Sequence, residues 1–187
     1  MDGSATPGAS VSIRLAHEDE LDNIAALFGP GLAPYRGQGA DWIVDAYLSE
    51  LEDVQSRFSV AETFVALQGG RILGSVSFYR DVALEGWSTL PSGWAGFRAL
   101  VVHPDARGSG IGRLLVEHCI FRSRQVGALV LGIHTIALLS DAMRLYERLG
   151  FNRCPEFDLP AKDVFPAEDA DDMVGLAFRY DLGRVRR

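Results

Sequence analysis

The stretch RGSGIG, residues 107–112, constrains the fold more than any other part of the sequence. It joins an apolar run, FRALVV at 97–102, to an amphipathic pattern that continues as far as residue 125. This periodicity predicts a strand before the glycines and a helix after them. Because glycine in such a turn costs backbone entropy, the turn must serve a purpose that needs exposed backbone. Successive free N–H groups at a helix N-terminus bind anions, and Arg107 and Arg113 add positive charge.

Two other glycine-rich phosphate-binding motifs do not match this stretch. A Walker loop needs GxxxxGK[ST], and no lysine follows these glycines. The dinucleotide fingerprint GxGxxG would run from Gly108 through Gly110 to position 113, where Arg113 replaces the third glycine. The alternatives that stay open are a glycine-rich helix start without a ligand and a backbone nest that holds a pyrophosphate.

The hydrophobic pattern of the rest of the chain predicts strands and helices in a mixed order. The predicted strands are 12–15, 63–68, 71–80, 97–102, 128–134, 151–157 and 172–182. The predicted helices are 21–28, ended by GPG, then 42–58, continuous or broken near Ser49, then 108–125 and 138–150. This order combines antiparallel pairing with one parallel crossover. It predicts an α/β (α+β) fold with a single mixed, mostly antiparallel sheet of about six to seven strands and helices on both faces.

Length and composition limit the classes of function. The chain has 187 residues, of which 48% are hydrophobic, as in an ordinary soluble globular domain. We expect one domain at 11–182 between flexible tails at 1–10 and 183–187. The net charge of −7 disfavours a general role on nucleic acid or on an anionic membrane surface. The apolar runs are too short to span a membrane, and the first ten residues do not resemble a signal peptide.

The chain contains two cysteines, Cys119 and Cys154. Two are too few for a disulfide framework or for a zinc site built mainly on thiolates. We therefore expect a reducing, cytoplasmic location, no bound metal and no cysteine nucleophile.

Two motifs resemble the GCN5-related N-acetyltransferase (GNAT) family. The first, VVHPDARGSGIGRLLVEHC at 101–119, is similar to the family's acetyl-CoA-binding motif, in which a strand leads into an [RQ]xxGx[GA] loop. The second, LYERLGF at 145–151, ends a helix and runs into a strand. Both occur in the family's order and at a suitable spacing, and the resemblance covers about residues 11–182.

The resemblance implies that FRALVV and ALVLGIH form a splayed central parallel pair in the sheet. It implies that main-chain groups of Leu100, Val101 and Val102 pair with the pantetheine arm of acetyl-CoA. The loop that would surround the pyrophosphate consists of Arg107, Gly108, Ser109, Gly110, Ile111, Gly112 and Arg113. Tyr146 matches the family's usual general acid, and a phenol is protonated at neutral pH and can give its proton to a departing thiolate.

Two positions depart from the family pattern. Leu139 stands where many relatives have an asparagine that binds the cofactor, and Ser140 or Thr135 would have to supply a polar contact instead. Gly96 stands where many relatives have a glutamate that serves as a base or holds a water. The general base is therefore left open among Glu85, Asp81, His134 and water.

The predicted function is transfer of an acetyl group from acetyl-CoA to a primary amine of a small molecule or peptide, by direct attack in a ternary complex. The alternative is a GNAT-fold module that binds or senses acyl-CoA without turnover. The segments expected near the acceptor contain large apolar and aromatic residues: Phe28, Leu32, Tyr35, Trp42, Trp87 and Trp94. Either these residues favour a partly hydrophobic amine, or they only cover the sheet. We expect a monomer or homodimer.

Overall fold

The computed structural model describes residues 10–38, 41–86, 88–160 and 174–183. These residues form one sheet of eight strands, in the order β1-β2-β3-β4-β5-β8-β6, with β7 paired to β8. The strands are β1 Ser12–Leu15, β2 Glu62–Gln68, β3 Arg71–Tyr79, β4 Ala95–Val102, β5 Val130–Ile136, β6 Asn152–Arg153, β7 Leu159–Pro160 and β8 Val174–Asp181. The predicted tails and Trp87 lie largely outside the described residues, which begin at residue 10 and end at residue 183.

Six α-helices surround the sheet. They are α1 Leu21–Ala25, α2 Phe28–Leu32, α3 Asp41–Glu52, α4 Val54–Phe58, α5 Ile111–Gln125 and α6 Ser140–Arg148. The prediction that GPG ends the first helix is wrong, because α2 contains it. Proline is tolerated in the first turn of a helix, where its missing N–H would have no intrahelical partner. The second predicted helix is broken, but at Asp53, whose carboxylate caps α4 by accepting the Ser56 N–H at 3.2 Å.

All neighbouring strands are antiparallel except β4 and β5. Their parallel register pairs only Ala95 with Leu131 and Gly96 with Gly132. Beyond Gly96 the two strands diverge, and this confirms the expected splay within a mixed, mostly antiparallel sheet. The sheet has one strand more than the seven predicted. In place of a single strand at 151–157, the chain forms two two-residue strands, β6 and β7, on either side of a short 3₁₀ turn.

A bulge in β4 lies at the point where the strands diverge. The register of β4 against β3 shifts between Ser75 and Ser77, opposite the segment that contains Ala99. Ala99 has a φ of 54°, and it is the non-glycine residue with positive φ in the described part of the chain. Such a conformation is uncommon outside glycine and is held by the surrounding structure. The bulge turns β4 away from β5.

Helices cover both faces of β4, as predicted. The α5 and α6 side packs a cluster of Phe97, Leu115 and Tyr146. The α1–α4 side packs a second cluster that contains Phe28 and Val101. The main chain of β4 is therefore enclosed from both sides, and the gap toward β5 is its one long free edge. No helix in the described part of the chain is long and apolar enough to cross a membrane.

A buried arginine holds the helices of the α1–α4 side together. Arg57 on α4 is 5% exposed. Its guanidinium donates to the main-chain oxygens of Glu50, at 2.6 Å, and of Leu51 at the C-terminal end of α3. The same guanidinium lies 5.6 Å from the ring centroid of Phe28 on α2. Arg57 thus satisfies terminal carbonyls of one helix while packing on another.

We expect Arg57→Met to destabilise the protein by about 2–4 kcal/mol, because the buried carbonyls of α3 lose their donors while the apolar stem is kept. Arg124→Met, at an exposed position on α5, should change the free energy of unfolding by less than about 0.5 kcal/mol. Urea denaturation of both variants measures this, and equal stabilities would show that Arg57 does not hold the helices.

Candidate active site

A cleft of about 700 Å³ opens between β4, the N-terminus of α5 and α6. Eight of the ten predicted cofactor residues line it: Leu100, Val102, Arg107, Gly108, Gly110, Ile111, Gly112 and Arg113. Of the other two, Val101 faces a smaller cavity on the α1–α4 side. Ser109 turns its hydroxyl inward and donates to the Ala106 oxygen at 2.5 Å. The predicted residues therefore form half of the described lining of this cleft.

The glycine loop at 107–112 presents backbone N–H groups to the cleft. Gly110 has a φ of 87°, which favours glycine, and caps the start of α5. The first bond of the helix runs from the Leu114 N–H to the Gly110 oxygen at 3.0 Å. The amides of Ile111, Gly112 and Arg113 precede that bond and belong to the first helical turn, where N–H groups have no helix partner. They form a site for an anion at the positive end of the helix dipole.

Four arginines make the cleft basic in a chain with a net charge of −7. Arg107 and Arg113 flank the glycine loop, and Arg144 and Arg148 come from α6. Arg144 pairs with Asp141, the one acidic residue in the described lining of the cleft. The sequence analysis did not identify Arg144 and Arg148, although their spacing of four residues places both on one face of α6. This charge favours a ligand with several phosphate groups.

The edge of β4 that faces the splay carries main-chain groups without a strand partner in β5. Leu100 and Val102 lie on this stretch and also line the cleft. An extended chain could pair with this edge as an added strand would. The glycine loop lies at the far end of the same cleft, so one elongated ligand could contact both.

A second, smaller cavity of about 80 Å³ adjoins the cleft on the α1–α4 side. The two share Tyr35, Leu100, Val102, Arg107 and Ala142. Three of the residues predicted near the acceptor line the smaller cavity: Phe28, Leu32 and Tyr35. Leu139, at the position of the family's asparagine, lines it as well, so this wall is apolar.

The other predicted aromatic residues lie elsewhere. Trp42, on α3, is partly buried and packs against the core cluster of the α1–α4 side. Trp94 packs against Phe157, with ring centroids 5.4 Å apart, beside β5. Neither Ser140 nor Thr135, the predicted substitutes for the family's asparagine, belongs to the described lining of either cavity. Tyr47 on α3, which sequence reasoning missed, lines the smaller cavity.

Tyr146 on α6 is 5% exposed and lies outside the described lining of both cavities. Its ring packs edge-on against Phe97 of β4, with centroids 5.7 Å apart, and against Phe151 and Phe178. Burial raises the pKa of Tyr146 far above its ordinary value, and electrostatic interaction with Tyr47 raises it further. The phenol is therefore protonated across the neutral range, and its burial makes it a weaker acid than a free phenol.

A group of polar residues lies on the opposite face of β4. The side chain of Arg98 is 10% exposed and pairs with Glu50 of α3 at 2.5 Å. Glu85 belongs to a short 3₁₀ turn, Val82–Glu85, in the connection between β3 and β4. A Cβ atom added to Gly96 would lie 3.3 Å from Oε1 of Glu85 and only 2.5 Å from Val82. The Cγ1 methyl of Val82 thus occupies the space that the absent side chain of Gly96 leaves open, and the carboxylate of Glu85 lies at its edge.

Asp81 and His134, the other two candidates for the base, are engaged in local structure. Asp81 accepts the Ala83 N–H at 2.9 Å and the Gly93 N–H at 3.1 Å, and these bonds lower its pKa. Nε2 of His134 lies 3.0 Å from the hydroxyl of Thr89 and 3.0 Å from the Phe157 oxygen. Burial lowers the pKa of His134. In the described ranges no three side chains of the kinds that bind metals lie together.

Several solved structures have a fold similar to that of this chain. An acetyltransferase of the GNAT family from Staphylococcus aureus Mu50 is 16% identical, covers 93% of this chain and 100% of its own, and has a TM-score of 0.62. A Salmonella typhimurium structure that contains its cofactor acetyl-CoA is 19% identical over 95% and 96% of the two chains, with a TM-score of 0.61. The ribosomal-protein-S18-alanine N-acetyltransferase from Escherichia coli is 17% identical over 93% and 95%, with a TM-score of 0.61.

No curated protein matches the sequence at a significant level. The family model described as an acetyltransferase (GNAT) domain matches residues 59–153, from the end of α4 to β6. This range contains β4, the glycine loop and Tyr146. Because it spans just over half of the 187 residues and coincides with the cleft, the chain belongs to the GNAT acetyltransferase family.

Proposed function

We propose that the protein transfers an acetyl group from acetyl-CoA to a primary amine within a ternary complex. The observation that carries this proposal is the junction of two cavities at Leu100 and Val102 on the free edge of β4. The larger cavity has the amides and arginines that a pyrophosphate needs, and the smaller one is open to a second molecule. Donor and acceptor would therefore meet beside the bulge at Ala99.

Acetyl-CoA supplies an activated thioester, whose carbonyl carbon accepts the amine and whose sulfur leaves. The amides of Ile111, Gly112 and Arg113 bind the pyrophosphate, and the guanidinium groups of Arg144 and Arg148 neutralise its charge. Main-chain groups of Leu100–Val102 align the pantetheine arm with the splay. Main-chain N–H groups at the bulge stabilise the negative charge that develops on the carbonyl oxygen. These roles use backbone that the fold holds rigid.

Tyr146 is the general acid of the proposed reaction. Its ring rests on Phe97, whose position in β4 directly follows the last paired residue, Gly96. It therefore approaches the splay from the α5 and α6 side, the side of the cofactor cleft. Tyr146 stays protonated at neutral pH and so has a proton for the departing sulfur, while its burial makes the phenol a weaker acid than a free one.

Direct attack by the amine is consistent with the burial and raised pKa of the thiols of Cys119 and Cys154. Cys119 is fully buried on α5, and burial raises its pKa far above the ordinary value. Cys154 is 2% exposed, and burial raises its pKa as well. A thiol nucleophile needs a depressed pKa and access to substrate. An acyl-cysteine route is therefore disfavoured for both residues.

The smaller cavity favours an acceptor amine with an apolar or aromatic group. Phe28, Leu32 and Tyr35 form walls that would bury such a group, and Leu139 offers no polar contact. Burial raises the pKa of both Tyr35 and Tyr47, so their hydroxyls remain neutral hydrogen-bonding groups. A small arylalkylamine or the N-terminus of a hydrophobic peptide matches these walls better than a highly charged polyamine.

Gly110→Asp should abolish acetyl-CoA binding, because it places a negative charge in the anion site and a side chain at a φ of 87°. Gly70→Asp, in the β2–β3 turn at a φ of 80°, is the matched control and should bind normally. Calorimetric titration of both folded variants decides this. Unchanged affinity in Gly110→Asp would mean that the loop does not hold the pyrophosphate.

Tyr146→Phe should lower turnover about 100-fold, the lower end of the usual contribution of a general acid, because a thiolate is already a fair leaving group. Acetyl-CoA affinity should hardly change, since the ring remains in place. The assay is thiol release from acetyl-CoA with a panel of arylalkylamines and peptides, and it tests the proposed function in the parent. Tyr180→Phe on β8 is the control. Turnover within about threefold of the parent would remove Tyr146 from the chemistry.

A further inference from the structure

We propose that Glu85, brought by the 3₁₀ turn Val82–Glu85 into the space beside Gly96, is the base that takes a proton from the acceptor amine. This inference rests on the proposed acetyl transfer and names a catalytic residue for it. The family resemblance places a glutamate on the strand itself, at Gly96. Here a different segment of the chain would supply the carboxylate to the same region.

The packing around Gly96 supports this substitution. An added Cβ would come within 2.5 Å of Cγ1 of Val82 and 3.3 Å of Oε1 of Glu85, so the glycine makes room for the side chains at the two ends of the 3₁₀ turn. Gly96 pairs with Gly132 at the last position before β4 and β5 diverge. The carboxylate of Glu85 therefore lies at the base of the splay beside Gly96, three residues before the bulge at Ala99 where donor and acceptor would meet.

The two faces of β4 separate the acid from the base. Side chains of neighbouring residues in a strand point to opposite faces. Tyr146 packs on Phe97 on the α5 and α6 face, and Glu85 lies over Gly96 on the α1–α4 face. The smaller cavity opens toward this second face, and Glu85 lies outside its described lining. Glu85 is thus on the side from which the amine would enter, and Tyr146 is on the side of the leaving sulfur.

The electrostatic surroundings keep Glu85 able to exchange a proton near neutral pH. Burial raises its pKa to about 7, Arg98 of β4 opposes that rise, and Glu50 of α3 adds to it. Tyr47 of α3 and Tyr79 of β3 also face the carboxylate. Both tyrosines have raised pKa values, Tyr79 to about 12, so they stay neutral in this range. A base with a pKa near the working pH is the most effective.

The protons and bonds of the step balance. The amine nitrogen forms a bond to the carbonyl carbon, and the carbon–sulfur bond breaks with its electron pair on sulfur. One proton passes from nitrogen to the carboxylate of Glu85, and one passes from Tyr146 to sulfur. The products are the amide and free coenzyme A. Solvent then returns a proton to Tyr146 and removes the one on Glu85.

Glu85→Gln tests the inference, with Glu52→Gln at the exposed end of α3 as the matched control. The readout is the ratio of kcat/KM, parent over variant, for one arylalkylamine between pH 5.5 and 8.5. Ionisation of the amine affects both proteins equally and cancels in this ratio. We expect a ratio of about 100 or more at pH 8 that falls about tenfold per pH unit below pH 7, as the parent's carboxylate becomes protonated. The control should give a ratio of about one throughout.

A second measurement does not need the acceptor. The folded-state pKa of Glu85 is raised above its unfolded value, so its stabilising contribution is present at low pH and is lost as pH rises toward 7. The melting temperature of Glu85→Gln, relative to the parent, should therefore increase between about pH 4.5 and pH 7.5. A difference that is constant with pH would contradict the buried position of this carboxylate.

The outcomes separate the two claims. If the parent turns over and the ratio for Glu85→Gln stays within threefold at pH 8, or does not change with pH, Glu85 is not the base and the proposed function stands. If the parent releases no thiol with any amine, both proposals fail. Should Glu85→Gln not fold, Glu85→Asp replaces it: reduced turnover that still falls below pH 7 supports the inference, and unchanged turnover overturns it.

Discussion

The divergence of β4 and β5 after Gly96 and Gly132 is the constraint on which the rest of the structure depends. A parallel pair in the middle of a sheet normally continues its hydrogen bonds, so ending them after two residue pairs leaves main-chain groups that need another partner. The bulge with its positive φ at Ala99 stabilises that divergence, and helices on both faces keep the open edge from closing. The opening is therefore a built feature of the fold.

The alternation of side chains along β4 places the residues of the proposed reaction on two faces of the strand beside this opening. The face under α5 and α6 carries the glycine loop, the arginines and Tyr146. The face under α1–α4 carries the smaller cavity and the polar group of Glu50, Glu85 and Arg98. Arg57 holds α3 and α4 over that second face. In the proposed reaction, β4 would therefore lie between the donor and the acceptor, and both would reach the same gap.

Much of this arrangement could be predicted from the sequence, because local signals specify it. Alternation in 63–80 predicted the hairpin, and the glycine loop with its flanking arginines indicated the region where the larger cleft lies. The GPG segment was misread because proline and glycine usually end a helix, whereas Pro30 falls in the first turn of α2. The prediction of a single strand at 151–157 was too simple for a different reason. The two-residue strands β6 and β7 are too short to give a periodic signal.

The arrangement on the α1–α4 face of β4 could not be predicted in the same way, because tertiary contacts determine it. The positive φ of Ala99 has no signal in an FRALVV run. The sequence showed that Gly96 stands where many relatives have a glutamate. Only the packing shows that Glu85, eleven positions earlier in an irregular connection, lies beside Gly96. Arg98 and Glu50 come together from elements 48 residues apart. Such pairings depend on the folded path of the chain.

Hydrogen–deuterium exchange with and without saturating acetyl-CoA tests the central claim, that the gap between β4 and β5 is the cofactor site. The account predicts slower exchange in two segments, 98–102 of β4 and 108–113 of the loop and α5, since their main-chain groups gain partners. Exchange in β1 and β2, at the far edge of the sheet, should not change. Binding that leaves 98–102 unprotected, or protects only other segments, would contradict the account, as would an absence of binding.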